Sequence, residues 1–102
     1  LTSVPQDLPT TITDLDLGGN QITTLSQFDL SQYRSLEDLH FDHNNISVIN
    51  SQAFCDLTRL TRLVLDNNHI TKLRPDMFTG LGNLQHLRLY SNEISDIEAE
   101  TF

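Results

Sequence analysis

Aspartate, histidine and arginine recur in this 102-residue sequence at a fixed spacing: Asp14, Asp38, Arg62 and His86 stand 24 residues apart, as do Asp16, His40, Val64 and Arg88. Carboxylates and imidazoles can move protons or hold metals, whereas Arg with a neighbouring aromatic such as Tyr90 anchors protein interfaces. Three histidines, His40, His43 and His86, fall near Asp42 and Asp66, which raises metal binding and a pH switch. On a strand, however, residues three apart point to opposite faces, so His40 and His43 diverge and no metal is expected. The sequence has no GxSxG elbow, HExxH, phosphate-binding GxxxxGK[ST] or paired CxxC, the arrangements that activate nucleophiles, water or phosphate. Gly80-Leu81-Gly82 lacks the third glycine of a dinucleotide loop. Neither enzymatic activity nor a cofactor is expected.

What positions these side chains is a repeat. Ile12, Leu36, Leu60 and Leu84 begin four series that run in step. Leu15, Leu39, Leu63 and Leu87 follow, then Leu17, Phe41, Leu65 and Leu89. Next come Asn20, Asn44, Asn68 and Asn92, an asparagine in every repeat, and Ile22, Ile46, Ile70 and Ile94. Leu25, Ile49, Leu73 and Ile97 precede a last series, Leu30, Phe54, Phe78 and Phe102. The LxL alternation turns two apolar side chains to one face of a short strand and their neighbours to the other. Stacked in parallel about 4.8 Å apart, such strands turn sequence columns into spatial columns. The asparagines, placed where the chain turns inward, are expected to form a structural ladder satisfying buried backbone groups. The phenylalanines are expected to form a spine on the opposite side. The first repeat departs, with Leu30 in that column, Tyr33 where others carry leucine, and Phe28 nearby.

The pattern LxxLxLxxNxIxxLxxxxFxxL resembles the extracellular type of leucine-rich repeat over essentially the whole chain. The resemblance implies an α/β solenoid, or horseshoe, with short parallel strands on the concave face and loops and 3-10 turns on the convex face. One domain, 1–102, is expected. It divides into the end of a capping repeat at 1–11, full repeats at 12–35, 36–59 and 60–83, and a truncated repeat at 84–102. LTSVPQDLPTTITDLDLGGNQI at the start is similar to the junction after a cysteine-rich cap, so the chain reads as the core of a longer protein whose caps are absent. The phrasing is most similar to variable lymphocyte receptors and their relatives, then to Toll-like receptors, Slit proteins and small leucine-rich proteoglycans. These families imply recognition outside the cell. The expectation is therefore a secreted or cell-surface immune-type module binding a protein or a microbial surface glycan or lipid. The alternative is a matrix, adhesion or guidance protein binding host proteins.

Subtracting the core columns leaves the expected concave ligand-binding residues: Asp14, Asp16, Asp38, His40, Asp42, Arg62, Asp66, His86, Arg88 and Tyr90. The alternative to a binding face is a solvated sheet on which Asp38 meets Arg62 and Asp16 meets His40 simply to relieve charge; joint replacement of His86, Arg88 and Tyr90 is expected to leave folding nearly intact. The formal net charge of −8 leads to the expectation of no nucleic-acid partner. Acids dominate residues 1–51, where Arg34 is the only Lys or Arg, while the second half is nearly balanced. Apolar runs are far shorter than the roughly 20 residues of a membrane span, so no direct insertion is expected. Asn45-Ile46-Ser47 is a possible N-glycosylation site. Homodimerisation through uncapped ends or through Cys55, the single cysteine, is possible.

Overall fold

The structure, a computed structural model, describes residues 1–101. Each LxL segment forms a three-residue strand: β1 Asp14–Asp16, with β2 Thr24–Leu25 and the single helical turn α1 Gln27–Leu30 completing the first coil. The next strands are β3 Asp38–His40, β4 Val48–Ile49, β5 Arg62–Val64 and β6 Lys72–Leu73. A 3-10 turn, Pro75–Met77, precedes β7 His86–Arg88 and β8 Asp96–Ile97. The three-residue strands form one parallel sheet in the order β1-β3-β5-β7. Two smaller parallel ladders, β2-β4 and β6-β8, run along the side of the coil. The fold is a parallel-strand leucine-rich-repeat solenoid.

The register equals the repeat period. Leu15 faces Leu39, Leu39 faces Leu63 and Leu63 faces Leu87 across the sheet, so each inward leucine stacks on its counterpart. Burial is complete in the middle coils, where Leu36, Leu39, Phe41, Ile46, Phe54, Leu57, Leu60, Leu63 and Leu65 are all at 0% exposure. In the last coil Leu84, Leu87, Leu89 and Ile94 are only partly buried against that core. Phe54 is fully buried and Phe78 packs beside the core. The third phenylalanine expected in that spine, Phe102, lies outside the described residues.

After each long strand the backbone turns inward through one left-handed residue: Gly19 (φ 72°), His43 (56°), Asn67 (58°) and Ser91 (56°). The asparagine that follows serves the turn. Asn68 Nδ2 donates to the carbonyls of Phe41 (3.0 Å) and Leu65 (3.1 Å), while its Oδ1 accepts the Ile46 N–H at 2.9 Å. Asn44 repeats this with Leu17 (2.9 Å), Phe41 (3.0 Å) and the Ile22 N–H (3.1 Å). Asn92 does so with Leu65 (2.8 Å), Leu89 (3.1 Å) and the Ile70 N–H (3.1 Å). In the first coil Asn20 bonds the Leu17 carbonyl at 3.0 Å and accepts from the Leu1 ammonium at 2.8 Å. Asn44 and Asn68, both buried, therefore join two successive coils through groups that have no water to turn to, and Asn92 makes the same bonds half-buried.

The convex side is irregular. Ser26 starts α1, its N–H and hydroxyl both donating to Asp29 Oδ2 at 2.9 and 3.1 Å, so a serine and an aspartate three residues on fix the turn. Tyr33 is fully buried, and its hydroxyl donates to the Pro5 carbonyl at 2.6 Å and accepts the Leu8 N–H at 3.3 Å. That hydroxyl is why tyrosine stands in a leucine position: it satisfies the turn of the first eight residues. Phe28, five residues before it, is 86% exposed. At Gly80 the backbone is left-handed (φ 92°) and any Cβ would strike the Cys55 backbone of the preceding coil. Glycine there permits the convex loops to close-pack. Among the described residues no helix is long and apolar enough to cross a membrane.

Candidate concave recognition site

The sheet places the outward residues of β1, β3, β5 and β7 in columns on one curved surface. Asp14, Asp38, Arg62 and His86 are mutual register partners, as are Asp16, His40, Val64 and Arg88. Asp42, Asp66 and Tyr90 follow at the strand ends. The two ends of the surface differ in chemistry: the first two coils present carboxylates with His40, the last two present Arg62, His86, Arg88 and Tyr90.

The pairing within this surface differs from that expected. Asp38 does not form an ion pair with Arg62; its Oδ1 lies 2.8 Å from His40 Nε2, on the same strand face two residues on. The alignment there is not that of a hydrogen bond, and Asp38 Oδ1 is buried with no donor. Asp16 turns away from His40 and accepts the Gly18 N–H at 2.9 Å. Local backbone donors and a same-strand neighbour compete for these carboxylates at shorter range than the adjacent strand does.

Asp66 requires a second correction. Expected to face solvent, it is 6% exposed. Its Oδ1 accepts the Tyr90 N–H at 2.8 Å and its Oδ2 meets Arg88 Nη2 at 2.9 Å. It is thus a bracket between coils that holds the guanidinium of Arg88, which in turn lies 5.4 Å from the centroid of the Tyr90 ring. Neighbouring Val64 is also buried, at 4%. Consequently Arg88 cannot be removed without leaving a buried carboxylate short of its cation, and joint loss of His86, Arg88 and Tyr90 is now expected to cost stability. Sequence reading missed this because Asp66 occupies a position that is open in the second coil, where Asp42 is only half-buried.

His43, Asn45 and His69 are exposed, and His69 Nδ1 lies 3.2 Å from Glu93. Cys55 is a half-buried free thiol. Of the three histidines singled out, His40 and His43 line one open hollow with Asp42 and Asp66, while His86 lines the next. Among the described residues, the group whose potential ligand atoms lie within 4.8 Å of one another is Asp14, Asp38 and His40, and His40 Nε2 there already faces Asp38. Over β5 and β7 lies an open hollow of about 600 Å³ lined by Arg62, Gln85, His86, Leu87, Arg88 and Tyr90.

The sequence matches the leucine rich repeat family over residues 10–70 and 58–102. No curated protein matches it. Among solved structures, it is similar to a chain in the crystal structure of a TLR13–ssRNA13 complex, with a TM-score of 0.77 and 33% identity over 80% of the present chain. It spans 12% of that chain. The comparison overturns the expectation that nucleic acid is excluded as a partner, because a similar repeat scaffold is found in a complex with ssRNA. The physical error was to let a whole-molecule charge stand for a local one: binding responds to the field at the contact surface, and a basic patch persists within an acidic chain. No catalytic family is indicated; the matched fold is a binding scaffold.

Proposed function

The chain belongs to the leucine-rich-repeat family, and from that premise we propose that it is an extracellular, immune-type recognition module that holds a protein or microbial surface ligand against its concave sheet. The observation that carries this reading is the division of labour within each strand. Inward positions repeat almost without change and are buried, while the outward positions on the same three residues differ from coil to coil. Packing constrains the first set; the second is free to be shaped by a ligand. The sheet beneath is rigidly registered, so side chains are presented with little ordering cost. Asp14, Asp16, Asp38, His40 and Asp42 form the acidic part of the proposed surface. Arg62, His86, Arg88 and Tyr90 form its basic and aromatic part, with Asp66 holding Arg88. The similarity to a chain seen with ssRNA widens the ligand chemistry to nucleic acid.

The same reading places the protein in a secreted or cell-surface setting, with Asn45, exposed in the turn after the second long strand, available for glycosylation. An open sheet offers no enclosed, water-free pocket, which supports binding rather than catalysis. The test is binding of the purified chain to a panel of bacterial, fungal and host cells, alongside a His86→Gln, Tyr90→Ala double variant of matched melting temperature. Microbial binding weakened at least roughly tenfold in the variant is expected for loss of interface anchors. Binding to host cells alone would transfer the protein to the adhesion and guidance class, and equal binding by the variant would remove the concave face from the account.

A further inference from the structure

We propose that the Arg62–His86–Arg88 corner of the concave face is an oxyanion subsite that takes the phosphodiester of a single-stranded nucleic acid, with a base stacked on Tyr90. The inference rests on the concave-face reading above and commits it to one ligand chemistry at one place.

Most basic side chains of this acidic chain are engaged by carboxylates. Lys72 meets Glu98 at 3.1 Å and Asp96 at 3.9 Å, Arg74 meets Asp76 at 3.0 Å, and Arg34 reaches Asp56 at 4.0 Å. Among the described residues Arg59 and Arg62 have no such partner. Arg59 is exposed in a convex loop, whereas Arg62 is half-buried on β5, and its Nε is a buried donor with no acceptor. An unmatched, buried charged donor is costly, and an oxyanion beside the guanidinium offsets that cost through the charge. Arg62 is the register partner of His86, with Arg88 two residues further along β7. These groups line the same open hollow. Arg88 is fixed by Asp66 at 2.9 Å through one nitrogen, which leaves its other N–H groups preorganised toward a ligand.

The choice of a phosphodiester follows from what surrounds the corner. Two guanidinium groups offer fork-shaped donors suited to tetrahedral oxyanions. Beside them the Tyr90 ring is 70% exposed and is backed on one side by Arg88 at 5.4 Å. A free aromatic face next to a cationic groove is the arrangement on which bases of a single strand stack, and it is tolerant of sequence. Duplex offers no such unstacked base. Asp14 and Asp16 on the first coil, and Asp38 and Asp42 on the second, which borders Arg62 directly, repel the strand and confine it to the last two coils.

The test is fluorescence anisotropy at low and physiological salt with labelled 20-nucleotide poly(U) RNA and poly(dT) DNA. Heparin oligosaccharide and poly-glutamate serve as competitors, and the variants are Arg62→Gln, Arg62→Lys and Tyr90→Ala. The wild type is expected to bind the single strands, and Arg62→Gln to weaken binding about tenfold, the scale of one charge-assisted hydrogen bond. The same variant should lower the slope of log K against log salt by about 0.7. Arg62→Lys should restore that slope without restoring affinity, because the charge returns but the forked guanidinium donors do not. Tyr90→Ala should weaken binding at unchanged slope. Unchanged melting temperatures keep these comparisons interpretable; a destabilised Arg62→Gln leaves the Arg62→Lys and Tyr90→Ala arms to decide. No binding to either oligonucleotide, preferential displacement by heparin or poly-glutamate, or affinity indifferent to Arg62 and Tyr90 would overturn the proposal. Those results alongside cell binding that still depends on His86 and Tyr90 would sink the phosphodiester alone. Cell binding indifferent to His86 and Tyr90 would sink the concave reading itself.

Discussion

At the scale of single residues, Asn68 and Asp66 carry the most informative comparison. Asn68→Ala strands the Ile46 N–H inside the stack and takes one of two donors from each of the Phe41 and Leu65 carbonyls, which keep Asn44 and Asn92. A loss of about 3 kcal/mol in urea denaturation is expected, from about 1–3 kcal/mol for the unmatched N–H and about 0.5–1.5 kcal/mol for each carbonyl bond lost. Asp66→Ala strands the Tyr90 N–H and frees Arg88, so a loss of about 1–3 kcal/mol is expected there too. Were Asp66 solvent-facing, as its place among the outward residues implied, the asparagine change would be several times more harmful; its burial narrows that gap. A neutral Asp66→Ala would contradict the bracket described here. The asparagines were legible because a polar residue that recurs at every turn must be answering the backbone. Asp66 was not, because its burial depends on Arg88 and Tyr90 in the next coil, and no periodicity records which outward neighbour covers which.

At the scale of elements, the strands were legible and the convex turns were not. LxL alternation and a constant period determine the register of β1, β3, β5 and β7, whereas α1, the 3-10 turn and the short side ladders depend on particular capping residues in each coil. Tyr33 illustrates the difference: its departure from leucine was visible, but its bond to Pro5, 28 residues away, was not. Tyr33→Phe keeps the packing and removes that bond, so a loss of about 1–2 kcal/mol is expected. Backbone hydrogen exchange should quicken in residues 4–9 first, and unaltered exchange there would detach the first segment from the tyrosine. The turn at Pro75–Met77 supplies an acid-sensitive contact. The Ser51 hydroxyl, which donates to Asp76 at 2.7 Å, and then Arg74 hold the Asp76 carboxyl below its ordinary value of 3.8. Because the folded-state value is the lower one, this contribution is present above the unfolded value and is lost as pH falls through the folded one. Melting followed from pH 5 downward should therefore fall less steeply below about pH 4 in Asp76→Asn than in the wild type. Parallel acid limbs would show that the Ser51 and Arg74 contacts do not persist in solution.

At the scale of the whole molecule, the solenoid measures 36 × 28 × 21 Å and separates two jobs by direction. Inward columns hold coil to coil; outward columns present chemistry on the concave side, acidic at one end and basic and aromatic at the other. That polarity was readable from residue order alone, since stacking converts the order of repeats into position along the sheet. The pairing inside it was not, and the net charge misled about partners because it averages over both ends. The convex side has its own exposed aromatic, Phe28, which makes it the natural control. The decisive measurement is therefore a binding titration on the cell panel of two variants matched to the wild type in melting temperature, His86→Gln, Tyr90→Ala on the concave face and Gln27→Ser, Phe28→Ser on the convex face. The concave pair is predicted to lose roughly tenfold or more in affinity while the convex pair stays within about twofold of the wild type. The reverse order, or equal losses, would contradict recognition by the concave sheet.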